Sequence, residues 1–219
     1  MSHTTTKPLH ITIFGASRGI GRHALELALQ AGHHVTALLR DPNAVAETPR
    51  LRVLRGDATN IADVREAVSG ADAVVCAVGA PALSRSRVRS EATALIVQAM
   101  REQGIERLLC VSVLGAGEQR AALPFLLRRV IFPTYLRRPV AEHERQERLL
   151  RDSELDWTAV RPPTLTDGPR TGQYAHGFGV DFAGLTLKVS RADVADFLVA
   201  QLDDTRYSRR AVAISYARP

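Results

Sequence analysis

The stretch that decides the fold is Ile11-Thr12-Ile13-Phe14-Gly15-Ala16-Ser17-Arg18-Gly19-Ile20-Gly21. A β-branched, apolar run stops at Gly15. From Ile20 onward apolar residues recur at helical spacing, through Ala24, Leu25, Leu27, Ala28 and Ala31. This reads as a strand, a tight glycine-rich turn and a helix N-terminus. Such a turn brings backbone N–H groups and the positive end of a helix dipole up to a diphosphate. Glycine is needed where the backbone takes a positive φ or where a Cβ would strike the ligand. The stretch therefore predicts a dinucleotide site near the N-terminus, with Gly15, Ser17, Arg18, Gly19 and Ile20 carrying the diphosphate.

The surroundings agree with that reading. Gly32 follows the predicted helix as a natural C′ residue, and a second apolar strand, Val35 to Leu39, comes next. Arg40 ends this strand, where proteins that prefer NAD carry Asp or Glu for the ribose 2′-hydroxyl. An arginine there favours a 2′-phosphate, because its planar fork binds phosphate bidentately. Arg18 can reach the same phosphate, so the expected cofactor is NADP(H). Arginine is abundant here, Lys7 and Lys188 being the only lysines, so two ordinary solvated charges are the competing reading.

Working outward, the chain has 219 residues, 45% hydrophobic and 24% charged, which suits one large α/β domain. The net charge of +6 favours anionic ligands. No basic tail, zinc spacing or aromatic stacking pattern accompanies it, so nucleic acid is not expected. Cys76 and Cys110 each lie in an apolar strand-like run and read as buried, reduced thiols. No Cys/His spacing suits a metal. Residues 1–8 read as a polar, flexible N-terminus without a signal core. No apolar run approaches the ~20 residues of a membrane span. The expectation is a soluble, cytoplasmic protein, a monomer or weak homodimer.

Strand-like runs recur at Ile11–Phe14, Val35–Leu39, Leu51–Leu54, Ala73–Val78, Leu108–Val113, Trp157–Val160 and Val212–Ser215. Helices are predicted between them. Asn60 caps Ile61–Val68, Ser90 caps Glu91–Glu102, Pro139–Arg151 is charged and amphipathic, and Ser190 to Asp193 opens a helix to Leu202. Apolar strands alternating with helices imply a doubly wound (Rossmann), mostly parallel sheet with helices on both faces, ordered 3-2-1-4-5-6-7, in one domain over 9–219. Two irregular segments, 115–138 and 162–181, follow strand carboxyl ends and read as substrate lids. Phe125 to Arg138 reads as a basic lid for an anionic acceptor, a surface or dimer patch, or an ordinary packed helix.

Taken together, these residues resemble the atypical short-chain dehydrogenase/reductases of the NAD(P)H-binding, NmrA-like type, and within them the flavin reductase/biliverdin reductase B kind. The likeness spans about Leu9 to Tyr216. It rests on Ile13-Phe14-Gly15-Ala16, Val35-Thr36 with Arg40-Asp41, Gly56-Asp57, Val75 to Gly79, Ser112, Leu149 to Ser153, Val160-Arg161-Pro162-Pro163 and Thr171-Gly172-Gln173-Tyr174. The sequence departs from the family where Arg18 replaces the loop's middle glycine. The resulting Gly-x-x-x-Gly-x-Gly spacing is that of Tyr/Lys-type short-chain dehydrogenases. Their Tyr-x-x-x-Lys is nevertheless missing, with Pro139 and His143 aligned to its positions.

The resemblance implies that Asp57 binds the adenine amino group with Ala58 beside the ring, unless Asp57 is only a turn residue. Ala77, Val78 and Gly79 end the fourth strand, where the backbone approaches the riboses. Ser112 matches a family serine near the nicotinamide and is a candidate catalytic residue, or else a local turn residue. His143, the second such candidate, either bonds the ribose or carboxamide and donates a proton, or sits exposed on a charged helix. Pro162, Pro163, Thr164 and Leu165 are expected to wall the nicotinamide. Tyr174 and His176 are expected to close over the substrate.

Reducing a ketone leaves an alkoxide that needs an acid. Flavins, quinones and linear tetrapyrroles instead delocalise the added charge. An NADPH-dependent reductase of a flat conjugated small molecule is therefore the first expectation. The alternative is a non-catalytic NADP(H) sensor acting through a protein partner. An epimerase-type enzyme is disfavoured by the missing Tyr-x-x-x-Lys.

Overall fold

The fold follows from the strand pattern. The structure, a computed structural model, describes residues 7–81, 84, 86–118, 137–177 and 184–218. The strands are β1 (His10–Phe14), β2 (His34–Leu39), β3 (Leu51–Arg55), β4 (Ala73–Cys76), β5 (Arg107–Val111), β6 (Asp156–Arg161), β7 (Thr164–Thr166), β8 (Ala175–Gly177), β9 (Lys188–Ser190) and β10 (Arg210–Ser215). The helices are α1 (Gly19–Gln30), α2 (Ile61–Val68), α3 (Val88–Gln103), α4 (Arg137–Arg151) and α5 (Arg191–Ala200). The main sheet has eight strands in the order β3-β2-β1-β4-β5-β6-β10-β8. This is the expected doubly wound order, with β10 as its seventh strand.

The sequence reading missed three short strands. β8 pairs antiparallel with β10 at the edge, and β7 pairs with β9 in a separate two-stranded sheet. All three have three residues, too few to show a period of two.

Each face of the sheet carries its own core, as expected for apolar strands covered on both sides. Ile11, Ile13, Val35 and Ala37 pack with Leu25 of α1 and Phe197 of α5. Phe14, Val74, Leu108 and Trp157 pack with Val64 of α2, Ile96 of α3 and Leu150 of α4. Cys76 and Cys110 are free, fully buried register partners on β4 and β5. Among the described residues no helix is long and apolar enough to cross a membrane.

Capping follows the sequence in two places and departs from it in one. Asn60 accepts from the Ala62 N–H at 2.9 Å, and Ser190 Oγ accepts from the Asp193 N–H at 3.0 Å. Ser90 does not cap α3, which begins two residues earlier. Ser86 Oγ takes the Val88 N–H at 3.2 Å, while Ser90 turns back to donate to Glu142 Oε1 at 2.7 Å. Of the irregular segment 115–138, residues 119–136 lie outside the described residues, as do residues 1–6 and 178–183.

Candidate functional site

The strand order reverses between β1 and β4, and connections leave in opposite directions there, opening a crevice at the strand carboxyl ends. The crevice encloses about 930 Å³.

Its β1–α1 side is built from backbone. Gly15 has φ +86°, and a Cβ there would lie 2.4 Å from the Ala77 carbonyl oxygen. A Cβ on Gly21 would lie 2.3 Å from Gly15 O, so glycine lets the first turn of α1 sit against the end of β1. The N-cap of α1, Arg18, makes no side-chain cap, and its first turn holds no acidic residue. The first N–H groups of α1 therefore face the cavity without a side-chain acceptor, unlike those of α2 and α5, and an anion is the natural partner. Gly79 borders open space on the opposite wall, where an added Cβ would meet nothing within 4 Å.

Arg18 and Arg40 both line this end and are exposed. Among the described residues neither guanidinium forms a salt bridge. Asp57 also lines it, but one oxygen is occupied: Oδ1 accepts from the Thr59 N–H at 2.8 Å and hydroxyl at 2.7 Å. Those two bonds, with the nearby Arg40 charge, hold its carboxyl below the usual range. The turn reading of Asp57 is thus satisfied at Oδ1 while the residue still faces the cavity.

The β5–α4 side is built from side chains with buried partners behind them. Ser112 lies just beyond β5, 4% exposed, and its Oγ donates to Glu147 Oε1 at 2.6 Å. Glu147 is in turn clamped by Arg161, with Nε–Oε1 at 2.8 Å and Nη2–Oε2 at 2.6 Å. Both members of that pair have fully buried side chains. Arg161 also reaches the exposed Glu118 at 2.6 Å. Burial opposes the Arg161 charge, yet the hydrogen bonds it donates to the two carboxylates outweigh it and raise its pKa.

His143 is buried, not exposed on a charged helix, and lines the cavity. Gln146 Nε2 donates to Thr93 Oγ1 at 3.0 Å, which turns Gln146 Oε1 toward His143 Nδ1, also at 3.0 Å. An amide oxygen only accepts, so the imidazole proton sits on Nδ1 and Nε2 carries a lone pair. Burial, then the nearby Arg89 charge, pushes the His143 pKa down to about 4. This corrects the expectation of a proton donor near neutral pH, because the ring is neutral there.

The structure brings together all of the expected cofactor residues except one. Thr164 is exposed in β7, where it pairs with Lys188, while Pro162, Pro163 and Leu165 form the wall. Tyr174 and His176 do not close over the cavity. They pack with Phe197 and Tyr207, Tyr174 donating to Asp196 at 2.8 Å. The loop before them is tied to α5, because Asp193 accepts from the Thr171 and Gly172 N–H groups at 2.7 and 2.9 Å.

Sequence reasoning missed Arg89 and Arg191, which also line the cavity, Arg191 being paired with Asp167. It also missed Glu147 and Gln146, which set the protons of Ser112 and His143. An arginine at the end of β6, directly after the apolar Ala159-Val160, was the available signal for the buried pair.

A doubly wound sheet with an uncapped helix N-terminus at its switch point defines a dinucleotide-binding Rossmann domain. The chain belongs to the NAD(P)H-binding family, which it matches over residues 15–205. It is 34% identical over 214 residues to a 3-diazoavenalumate denitrifying reductase of a Streptomyces species, covering 87% of this chain and 68% of that protein. Its fold matches ChuY, an anaerobillin reductase of Escherichia coli O157:H7, with TM-score 0.77, 24% identity and coverage of 94% and 96%. It also matches a Veillonella parvula short-chain dehydrogenase/reductase in complex with NADP, with TM-score 0.78, 23% identity and 95% of each chain covered. The chain thus carries an NAD(P)H-binding oxidoreductase fold with reductases among its relatives.

Proposed function

We propose that this chain is an NADPH-dependent reductase that passes hydride to a flat, conjugated small-molecule acceptor of the flavin, quinone or tetrapyrrole-like kind. One observation carries the reading. At the β5–α4 end both candidate catalytic side chains have already given their protons away, Ser112 to Glu147 and His143 to Gln146. Each faces a ligand as a hydrogen-bond acceptor. A ketone would need an acid at this point, whereas a conjugated acceptor needs positioning and exclusion of water.

The residues present fit the cofactor. The uncapped N–H groups of α1 with Arg18 suit the diphosphate, Arg40 the 2′-phosphate, and the free oxygen of Asp57 the adenine amino group. When bound, NADPH supplies the hydride. Ser112 Oγ and His143 Nε2 suit the carboxamide N–H or a ribose hydroxyl and so orient the ring, while Pro162, Pro163 and Leu165 exclude water from its side. The diazoavenalumate and anaerobillin reductases among the similar proteins support reduction as the chemistry and a conjugated small molecule as the partner.

Steady-state consumption of NADPH by the purified protein, with and without FMN and with NADH as control, tests this. Turnover that prefers NADPH is expected. Saturable NADPH binding without turnover toward FMN, quinones or biliverdin overturns the reductase and selects the sensor, which the same lack of an acid also suits.

A further inference from the structure

Beside the β5–α4 end of the cavity lies a second depression, about 360 Å³, between the N-terminal turns of α3 and α4. Arg87 lines it from just before α3, Arg89 from α3, and Arg138 and Arg145 from α4. Ser86 and Arg89 line both spaces, so groove and cavity adjoin. One carboxylate stands among these guanidinium groups, and its oxygens are taken. Glu142 Oε1 accepts from the Ser90 N–H and hydroxyl at 3.0 and 2.7 Å, and Oε2 from Arg145 at 3.0 Å. Arg89 donates to the Ala80 carbonyl at 3.0 Å. Arg87 and Arg138 are exposed and form no salt bridge among the described residues.

The groove therefore holds an excess of fixed positive charge in a concave wall, which focuses the field on one small volume. Guanidinium forks at such a place suit an oxyanion bidentately. The sheet order sets this pole apart from Arg18 and Arg40. Those lie at the ends of β1 and β2, whereas the groove flanks His143, beyond β4 and β5. The 2′-phosphate and this second anion are thus separate.

We propose that the groove is the subsite for an anionic arm of the acceptor, a carboxylate or phosphate that extends from the conjugated ring lying against His143. The inference rests on the reductase reading and narrows its substrate class to conjugated rings that carry a terminal oxyanion.

The test uses two matched pairs, FMN against riboflavin and biliverdin against its dimethyl ester. Binding to the NADP⁺-saturated protein is read by fluorescence quenching or difference absorbance, so the result does not depend on turnover. The anionic member of one pair is expected to bind roughly tenfold tighter at low salt. The Arg87→Ala/Arg138→Ala protein is expected to lose that preference while keeping its affinity for the neutral member and for NADPH. Both arginines are exposed, so folding is not at risk, and Arg87→Glu/Arg138→Glu should reverse the preference. The pair that responds names phosphate or carboxylate as the arm. No preference in either pair, or one that survives the substitutions, overturns the groove. Turnover with riboflavin then still upholds the reductase, so the two failures are distinguishable.

Discussion

At the β1–α1 end the groups that face the cavity are backbone N–H groups held by a glycine turn. At the β5–α4 end they are Ser112 and His143, each oriented by a partner buried behind it. The first end is specified within a few residues of chain. The second needs contacts between positions 35 and 53 residues apart, Ser112 with Glu147 and Gln146 with Thr93. A site made of backbone can be altered at its surface without disturbing the core. A site made of supported side chains shares its foundations with the fold, so here binding geometry and stability are coupled.

The largest expected effect breaks that coupling open. Among the described residues, Glu147→Ala leaves Arg161, whose side chain is fully buried, with only the exposed Glu118 as counter-charge. Stripping one partner from a buried pair costs about 3–5 kcal/mol, to be read as a fall in urea unfolding free energy. Ser17→Ala at the other end, exposed and outside any helix, should change stability by less than ~0.5 kcal/mol. Equal losses at the two ends would remove the contrast.

The second effect belongs to the same end and appears with acid. His143 titrates near 6.5 when unfolded and at about 4 when folded. Between those values the unfolded chain binds the extra proton, so folding stability falls as pH drops from about 6.5 toward 4. Above 6.5 the ring is neutral in both states and contributes no pH dependence. The full linkage is about 3 kcal/mol. Unfolding free energies across that window should fall more steeply for the natural chain than for His143→Asn, and parallel curves would mean that His143 is not held neutral.

The same contrast explains what was legible in the sequence. The glycine spacing after β1, the arginine after β2 and the strand order could be read because each is local or follows from the alternation of strands and helices. The proton positions on Ser112 and His143 could not, since Glu147 and Gln146 look like ordinary polar residues of a charged helix until α4 is packed against α3 and β6. Thr171 and Gly172 were legible as a family motif but not as a loop anchor, because their acceptor, Asp193, lies on α5. Tyr174 and His176 were misplaced for a related reason. Their loop carries a three-residue strand that joins the sheet edge and turns both rings onto Phe197.

The third effect tests the backbone end through its one selective side chain. Arg40→Ala removes the proposed 2′-phosphate contact and leaves the α1 N–H groups in place. NADPH affinity should fall by about 1.5–3 kcal/mol, the worth of a charged hydrogen bond, with NADH affinity nearly unchanged. Isothermal titration with both cofactors decides it, and equal losses would take the 2′-phosphate away from Arg40.

The smallest effect is the sharpest discriminator at the side-chain end. Ser112 offers a ligand only lone pairs, its proton being held by Glu147 at 2.6 Å. Ser112→Ala therefore deletes one accepted hydrogen bond, worth about 0.5–1.5 kcal/mol. In kcat/KM this is a loss of roughly twofold to thirteenfold. The pH profile should keep its shape, because no proton of Ser112 enters the reaction and Glu147 keeps both bonds from Arg161. A serine that donated its proton to the acceptor would behave differently. Its loss would cost at least a hundredfold, in the range of acid catalysis, and would bend the profile toward low pH, where solvent supplies the proton instead. The two cases differ in shape as well as size, so one pH series on the natural and Ser112→Ala proteins separates a positioning acceptor from a catalytic acid.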